Sequence, residues 1–301
     1  MLTKSNMSPL ETQEQPSPDV PGGRLPTLNA LRTRAAAQTH VGKVRQKNED
    51  QFFIGEVTSA IQVRESTVVP PQLYLGSSPL VLLIVADGMG GHAAGERAAA
   101  LAVRSVESFV LRAFEHIGSL GLQGPADLLL ASFQIADGTV MQASNRRDSL
   151  KGMGTTMTVA LVGGSEAHIA HAGDSRAYLF RNNALTRLTR DHTVAEAIRE
   201  RAVPDSPGQD LQKTMSHIVT NAVGGGTAGV TPDIARLDLE SGDQLLMCTD
   251  GLTNMVQDDT IAATLVTPGD PSDKANRLVE AALAGGGKDN ITALVAHFVA
   301  E

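Results

Sequence analysis

Among its 301 residues the sequence has one cysteine, no tryptophan and two tyrosines. The lone Cys248 excludes an internal disulfide framework and a cysteine-ligated zinc, and its simplest setting is a reducing compartment. Aromatic residues make up 3% of the chain, too few for the stacking platforms that hold single-stranded nucleic acid. Long apolar stretches are missing as well. Runs such as Leu80 to Ala86 fall far short of the roughly 20 residues that cross a bilayer, and the first residues lack the basic-then-apolar pattern of a secretory signal. The expectation is a cytoplasmic protein without a membrane partner. Positive charge is also scarce, with 25 Lys and Arg against 33 Asp and Glu, for a net charge of −8. Residues 1–35 carry four cations and three anions, so the remainder holds nine net negative charges. A body that acidic repels DNA and anionic lipid, so no nucleic-acid partner is expected.

What is present is material for a core. Hydrophobic residues are 42% of the chain and charged ones 19%, enough for one large domain or two small ones. Residues 1–35 mix Pro, Ser, Thr, Gln and Glu with few large apolar side chains, a composition that cannot offset the entropy of ordering. They read as a flexible tail preceding a folded body over residues 36–301. No repeat of fixed period is visible, which argues against solenoids and propellers. Leu80–Ala86 reads as a buried strand stopped by the glycine turn Asp87-Gly-Met-Gly-Gly91. From Glu96 to Ile117, Ala102, Val106, Phe109, Val110, Ala113, Phe114 and Ile117 form one stripe of a long amphipathic helix. A second helix is expected over 126–145. Strands are expected over 155–162, 167–172, 177–181, 234–239, 244–248 and 291–299. Sequential strands set apart from paired helices indicate an α+β arrangement of antiparallel sheets covered by helices.

Four aspartates sit at the ends of these strands. Asp87 follows Leu-Val-Leu-Leu-Ile-Val-Ala, Asp250 follows Gln-Leu-Leu-Met-Cys-Thr, Asp289 shortly precedes the run from Ile291, and Asp174 lies in a Gly-Asp-Ser turn between two apolar runs. One aspartate at a strand end is ordinary, because Asp favours turns. Three of the four, however, are directly followed by a glycine or amide: Gly88, Gly251 and Asn290. Glycine lets the backbone approach closely and leaves its carbonyl free to bind. If the strand ends converge, the carboxylates repel one another, and a divalent cation resolves the repulsion. Oxygen-only ligands favour hard ions such as Mg²⁺ or Mn²⁺. The segment from Val44 to Asp50 adds Arg45, suited to two-pronged binding of phosphate oxygens, and the adjacent carboxylates Glu49 and Asp50.

Taken together, these segments resemble the bacterial form of the type 2C (PPM family) metal-dependent Ser/Thr protein phosphatases. The resemblance spans residues 38 to 300 and is carried, in the family's order, by seven segments: Val41-Gly-Lys-Val-Arg-Gln-Lys-Asn-Glu-Asp50, Val85-Ala-Asp-Gly-Met-Gly-Gly-His92, Gly152-Met-Gly-Thr-Thr156, Ala172-Gly-Asp-Ser-Arg-Ala177, Leu188-Thr-Arg-Asp-His192, Cys248-Thr-Asp-Gly-Leu252 and Gly287-Lys-Asp-Asn-Ile-Thr292. It implies a four-layer α-β-β-α sandwich, two central antiparallel sheets flanked by helix pairs. It also implies that Asp87 bridges two Mn²⁺ or Mg²⁺ ions, with Glu49 and the Gly88 carbonyl on one side and Asp250 and Asp289 on the other. Asp50 is then the residue that orients a metal-bound water, Arg45 grips the substrate phosphate, and Asp174 with Asp250 holds a weaker third ion. Residues from Asp191 to about Ser216, including the Pro-Gly-rich stretch Val203–Gly208, correspond to a mobile flap. The implied partners are phosphorylated proteins and a Ser/Thr kinase, and the implied state is a monomer.

Several residues are read as structural. Cys248, in an apolar strand, is expected in the core and not as a nucleophile. Met89 stands where many eukaryotic members carry a histidine, and Asn254 where some carry an acidic ligand, so the resemblance names no general acid and leaves the third ion one acidic ligand short. His92 is read as a surface histidine at a helix start. His168 and His171 are three apart on a strand and therefore face opposite ways. A non-catalytic phosphoprotein-binding module and a hydrolase of small phosphoesters are the competing classes.

Overall fold

The structure is a computed structural model that describes residues 31–57, 80–90, 93–116, 122, 124–201, 215, 218–226 and 229–300. The expected features at residues 1–30, His92, Ile117 and Val203–Gly208 lie outside them.

Two five-stranded antiparallel sheets form the centre. One contains, in spatial order, β11 (Asp233–Asp238), β7 (Glu166–Ala172), β6 (Met157–Gly163), β3 (Leu80–Ala86) and β2 (Gln51–Val57). The other contains β1 (Leu31–His40), β13 (Ile291–Ala300), β12 (Gln244–Cys248), β8 (Arg176–Arg181) and β9 (Ala184–Arg187). A small ribbon of β10 (Val223–Gly224), β5 (Gly154–Thr155) and β4 (Gly88–Met89) adjoins them.

Three apolar clusters explain why the strand sequences are apolar without alternation. In β3, Val81, Leu83 and Val85 point into the cluster between the sheets. Leu82, Ile84 and Ala86 point the other way, into a cluster with helices α1 (Ala93–His116) and α2 (Pro125–Arg146). In β12 and β13, Leu245, Met247, Leu294 and Ala296 fill the inter-sheet layer. Leu246, Cys248, Ala293 and Val295 meet the Asp258–Val266 and Pro271–Ala284 helices. A strand covered on both faces reads as a continuous apolar run, and each fully buried Leu, Ile or Val contributes about 1.5–3 kcal/mol. The result is the expected four-layer α-β-β-α sandwich. Among the described residues no helix is long and apolar enough to cross a membrane.

The boundary at residue 35 needs correction. Leu31 to Ala35, read as the end of a tail, pair with Ala300 to Ala296 of β13 as part of β1. Leu31 is buried, and the backbone ladder holds a segment whose composition alone gives no reason to order.

Candidate metal centre

The sandwich brings the acidic strand ends of both sheets to one edge. Asp87 directly follows β3, and Ala86 of β3 pairs with Gln51, so Glu49 and Asp50 enter β2 beside it. From the other sheet, Asp250 follows β12 and Asp289 precedes β13, strands that pair through Cys248 and Ala293. Asp174 sits in the turn that passes from β7 of one sheet to β8 of the other. The outcome is a cleft of about 990 Å³ lined by Arg45, Glu49, Asp87, Gly88, Asp174, Asp250 and Asp289. A smaller cavity of about 150 Å³ shares Asp174 and Asp250 with it.

Close backbone approaches build the cleft. A Cβ on Gly95 would meet Glu49 Oε2 at 2.5 Å and Gly88 O at 2.7 Å, so these two oxygens lie side by side over the first turn of α1. A Cβ on Gly251 would fall 1.8 Å from Asn290 O, which sets the Asp250 turn directly against the start of β13. The Asp87 backbone is clamped by Thr155 and Thr156. Asp87 N donates to Thr156 Oγ1 at 3.0 Å, and Asp87 O accepts from Thr155 Oγ1 at 2.8 Å and from Thr156 N at 2.9 Å.

Asp50 does not line the cleft. It is buried beside it, and Oδ2 accepts from Thr292 Oγ1 at 2.7 Å and Thr249 Oγ1 at 2.9 Å. Its other oxygen, Oδ1, is buried with no hydrogen-bond partner among the described residues. Arg45 Nη2 donates to Asp289 Oδ2 at 2.7 Å, so the expected phosphate-gripping side chain rests on an expected metal ligand. Asp250 Oδ2 accepts from Asn254 Nδ2 at 3.0 Å.

The electrostatics are those of crowded anions. Burial, then the charges of Asp50, Asp250, Asp174 and Asp289, holds the Asp87 carboxyl well above the usual range. Burial pushes Asp50 up to about 7, against the lowering effect of its two threonine hydroxyls. Asp174 is also raised to about 7, by burial and then by Asp250 and Asp191. Among the described residues no three acidic, His or Cys side chains have closed to metal-ligand spacing around one point. The carboxylates share one cleft with Arg45, whose guanidinium holds Asp289. Oxygen donors from two sheets, a bare buried oxygen on Asp50 and paired oxygens at Glu49 and Gly88 fit hard divalent ions.

Reading the sequence left several contributors without a role. Asn290 appears there only as an amide beside Asp289, yet its side chain ties three parts of the entry loop to β13. Its Oδ1 accepts from Glu49 N at 2.8 Å, and its Nδ2 donates to Val41 O at 2.9 Å and Lys47 O at 2.8 Å. Thr156 is in a quoted segment, but nothing in the sequence says that its hydroxyl meets the Asp87 amide. Thr249 precedes Asp250 and Thr292 lies three residues after Asp289, and only the packing of the two sheets reveals that both reach Asp50. Cys248 is fully buried, and burial raises its thiol to about 12, in keeping with a core residue. His171 is buried between Thr158, Gly173 and Arg190. His192 is held by Asp233 and Asn221.

The sequence profile of the family described as Protein phosphatase 2C matches residues 75–283. The chain is 33% identical over 272 residues to the serine/threonine protein phosphatase PstP of Mycobacterium tuberculosis, covering 88% of this chain but only 45% of that protein's length. It is 32% identical over 267 residues to the serine/threonine phosphatase stp of Listeria monocytogenes, covering 87% of this chain and 94% of the relative. The crystal structure of the PstP catalytic domain in complex with two manganese ions superposes with a TM-score of 0.68 at 31% identity, covering 89% of this chain and 99% of that one.

Proposed function

The chain belongs to the protein phosphatase 2C family, and from that premise we propose that it hydrolyses phosphoserine and phosphothreonine in proteins at a centre of two Mn²⁺ or Mg²⁺ ions. The observation that carries the reading is the meeting of Glu49, Asp87, Gly88, Asp250 and Asp289 from two sheets in one cleft. Asp87 would be shared by the two ions, Glu49 and the Gly88 carbonyl would hold one, and Asp250 and Asp289 would hold the other. Asp174 and Asp250, which also line the smaller cavity, are the site of a weaker third ion.

Such a pair of ions, when bound, supplies Lewis acidity that makes water a nucleophile near neutral pH and offsets charge on the phosphoryl oxygens. The chain's own residues supply position. Thr249 and Thr292 hold one oxygen of Asp50, which leaves the other, buried beside the cleft, as the one that would orient a water. Arg45, released from Asp289, presents its guanidinium fork to the phosphate. With Cys248 buried and its thiol raised to about 12, no covalent enzyme intermediate is invoked. The substrates are phosphoproteins made by a Ser/Thr kinase, met by this chain as a cytoplasmic monomer.

The test is a metal-titrated assay on phosphoserine, phosphothreonine and phosphotyrosine peptides and on a small phosphate ester. Mn²⁺-dependent hydrolysis of the first two is expected, falling at least ~10³-fold in Asp87→Asn or Asp250→Asn, a loss of about 4 kcal/mol in transition-state stabilisation. Full activity of either variant in metal-replete buffer would remove the two-ion assignment, and hydrolysis of the small ester alone would remove the protein substrate.

A further inference from the structure

The acidic cleft has a basic lip. Lys43, Arg45 and Lys47 are exposed on the loop that leads to Glu49, and Lys288 is exposed on the turn that leads to Asp289. The two loops are tied together. Lys43 N donates to Gly287 O at 2.6 Å, and a Cβ on Gly287 would lie 3.2 Å from Lys43 Cγ. Arg45 is engaged by Asp289. Lys47 and Lys288 both line the cleft, and neither forms an ion pair or hydrogen bond through its side chain among the described residues.

Single solvated lysines are ordinary on a surface. Here the chain carries 33 acidic residues against 25 basic ones, yet four exposed cations, Lys43, Arg45, Lys47 and Lys288, gather on the two loops at the cleft. Keeping cations beside the cleft without partners of their own leaves them available to an incoming anion. An ammonium on a flexible four-carbon stem acts as a point charge that reaches carboxylates at varied spacing, unlike the planar fork of Arg45.

We propose that Lys47 and Lys288 recognise acidic side chains flanking the phosphoresidue, so that phosphosites in Asp- and Glu-rich segments are the favoured substrate class. This rests on the phosphatase reading above and adds the selectivity of the same cleft. An exposed ion pair is worth at most about a five-fold factor and is screened by salt, so two lysines together give a preference of about three- to ten-fold.

The experiment compares three phosphothreonine peptides of equal length with Glu, Gln or Lys at two positions on each side of the phosphoresidue. It measures kcat/KM with Mn²⁺ for the wild type and for the double variant Lys47→Gln, Lys288→Gln. The wild type is expected to favour Glu over Gln by about three- to ten-fold and to disfavour Lys, with the preference shrinking when about 0.5 M salt is added. In the double variant the Glu-to-Gln ratio should fall towards one. Because each ratio is taken within one protein, a general loss of activity leaves it intact. Equal kcat/KM for the Glu and Gln peptides in the wild type overturns the inference while leaving the phosphatase reading in place. A ratio that survives in the double variant does the same. Failure to hydrolyse any of the three overturns both.

Discussion

At the residue scale the site is governed by carboxylates that resist ionisation. Asp50 and Asp174 are raised by burial to about 7 from an unfolded value of 3.8, and Asp87 is raised well above its ordinary value by burial and then by its acidic neighbours. In the ion-free protein the fold retains protons that the unfolded chain has already released. The stability these groups contribute is therefore fully present below about pH 4 and is lost as pH rises towards about 7. Calorimetry of EDTA-treated protein should show a Tm that falls by several degrees across that window. The fall should be smaller in Asp174→Asn, and Mn²⁺ added above pH 7 should restore Tm. A pH-independent Tm would contradict this assignment of charge. The aspartates themselves were legible because each flanks an apolar run and three of the four are followed by a glycine or amide. The threonine hydroxyls that hold Asp50 were not, since Thr249, at the end of β12, and Thr292, in β13, come from the other sheet and meet it only where the two sheets pack, 199 and 242 residues away in sequence.

At the scale of elements, the loop from Val41 to Glu49 and the start of β13 act as one piece because Asn290 joins them through three hydrogen bonds. Removing that side chain in Asn290→Ala leaves partly buried backbone groups unpaired, at about 1–3 kcal/mol. It should also weaken Mn²⁺ binding by about 10- to 100-fold, the effect typical of groups that orient ligands. Titration of Mn²⁺ with Asn290→Ala checks this, and unchanged affinity would reduce Asn290 to a structural residue. Strands buried on both faces were readable almost to the residue: Leu80–Ala86 and Gln244–Cys248 match their expected spans. Of the edge strands, β11 was readable, at 234–239 against Asp233–Asp238, but β1, β2 and β9 were not. β1 has the sequence Leu-Arg-Thr-Arg-Ala-Ala-Ala-Gln-Thr-His and is mostly half-buried, so neither a continuous run nor large apolar residues mark it. The Pro271–Ala284 helix was passed over although its start carries a cap, with Asp270 Oδ1 accepting from Asp273 N at 2.9 Å and Pro271 at the first position.

At the scale of the whole molecule, the sandwich is the device that makes a metal site from sequence-distant parts. Glu49 and Asp87 come from one sheet, Asp250 and Asp289 from the other, and Asp174 from the turn between them. Antiparallel sheets covered by helices followed from the grouping of apolar strands and paired helices, and the four-layer order from the family resemblance. The convergence did not, because a single strand says nothing about which of its ends faces another sheet, and it entered only through the family resemblance. The central claim is that these carboxylates belong to a pair of hard cations, and isothermal titration calorimetry of the metal-stripped protein with Mn²⁺ tests it most directly. Two ions per chain should bind the wild type, and saturable binding at both sites should be lost in Asp87→Asn. Absence of saturable Mn²⁺ binding, or undiminished two-site binding by Asp87→Asn, would contradict it.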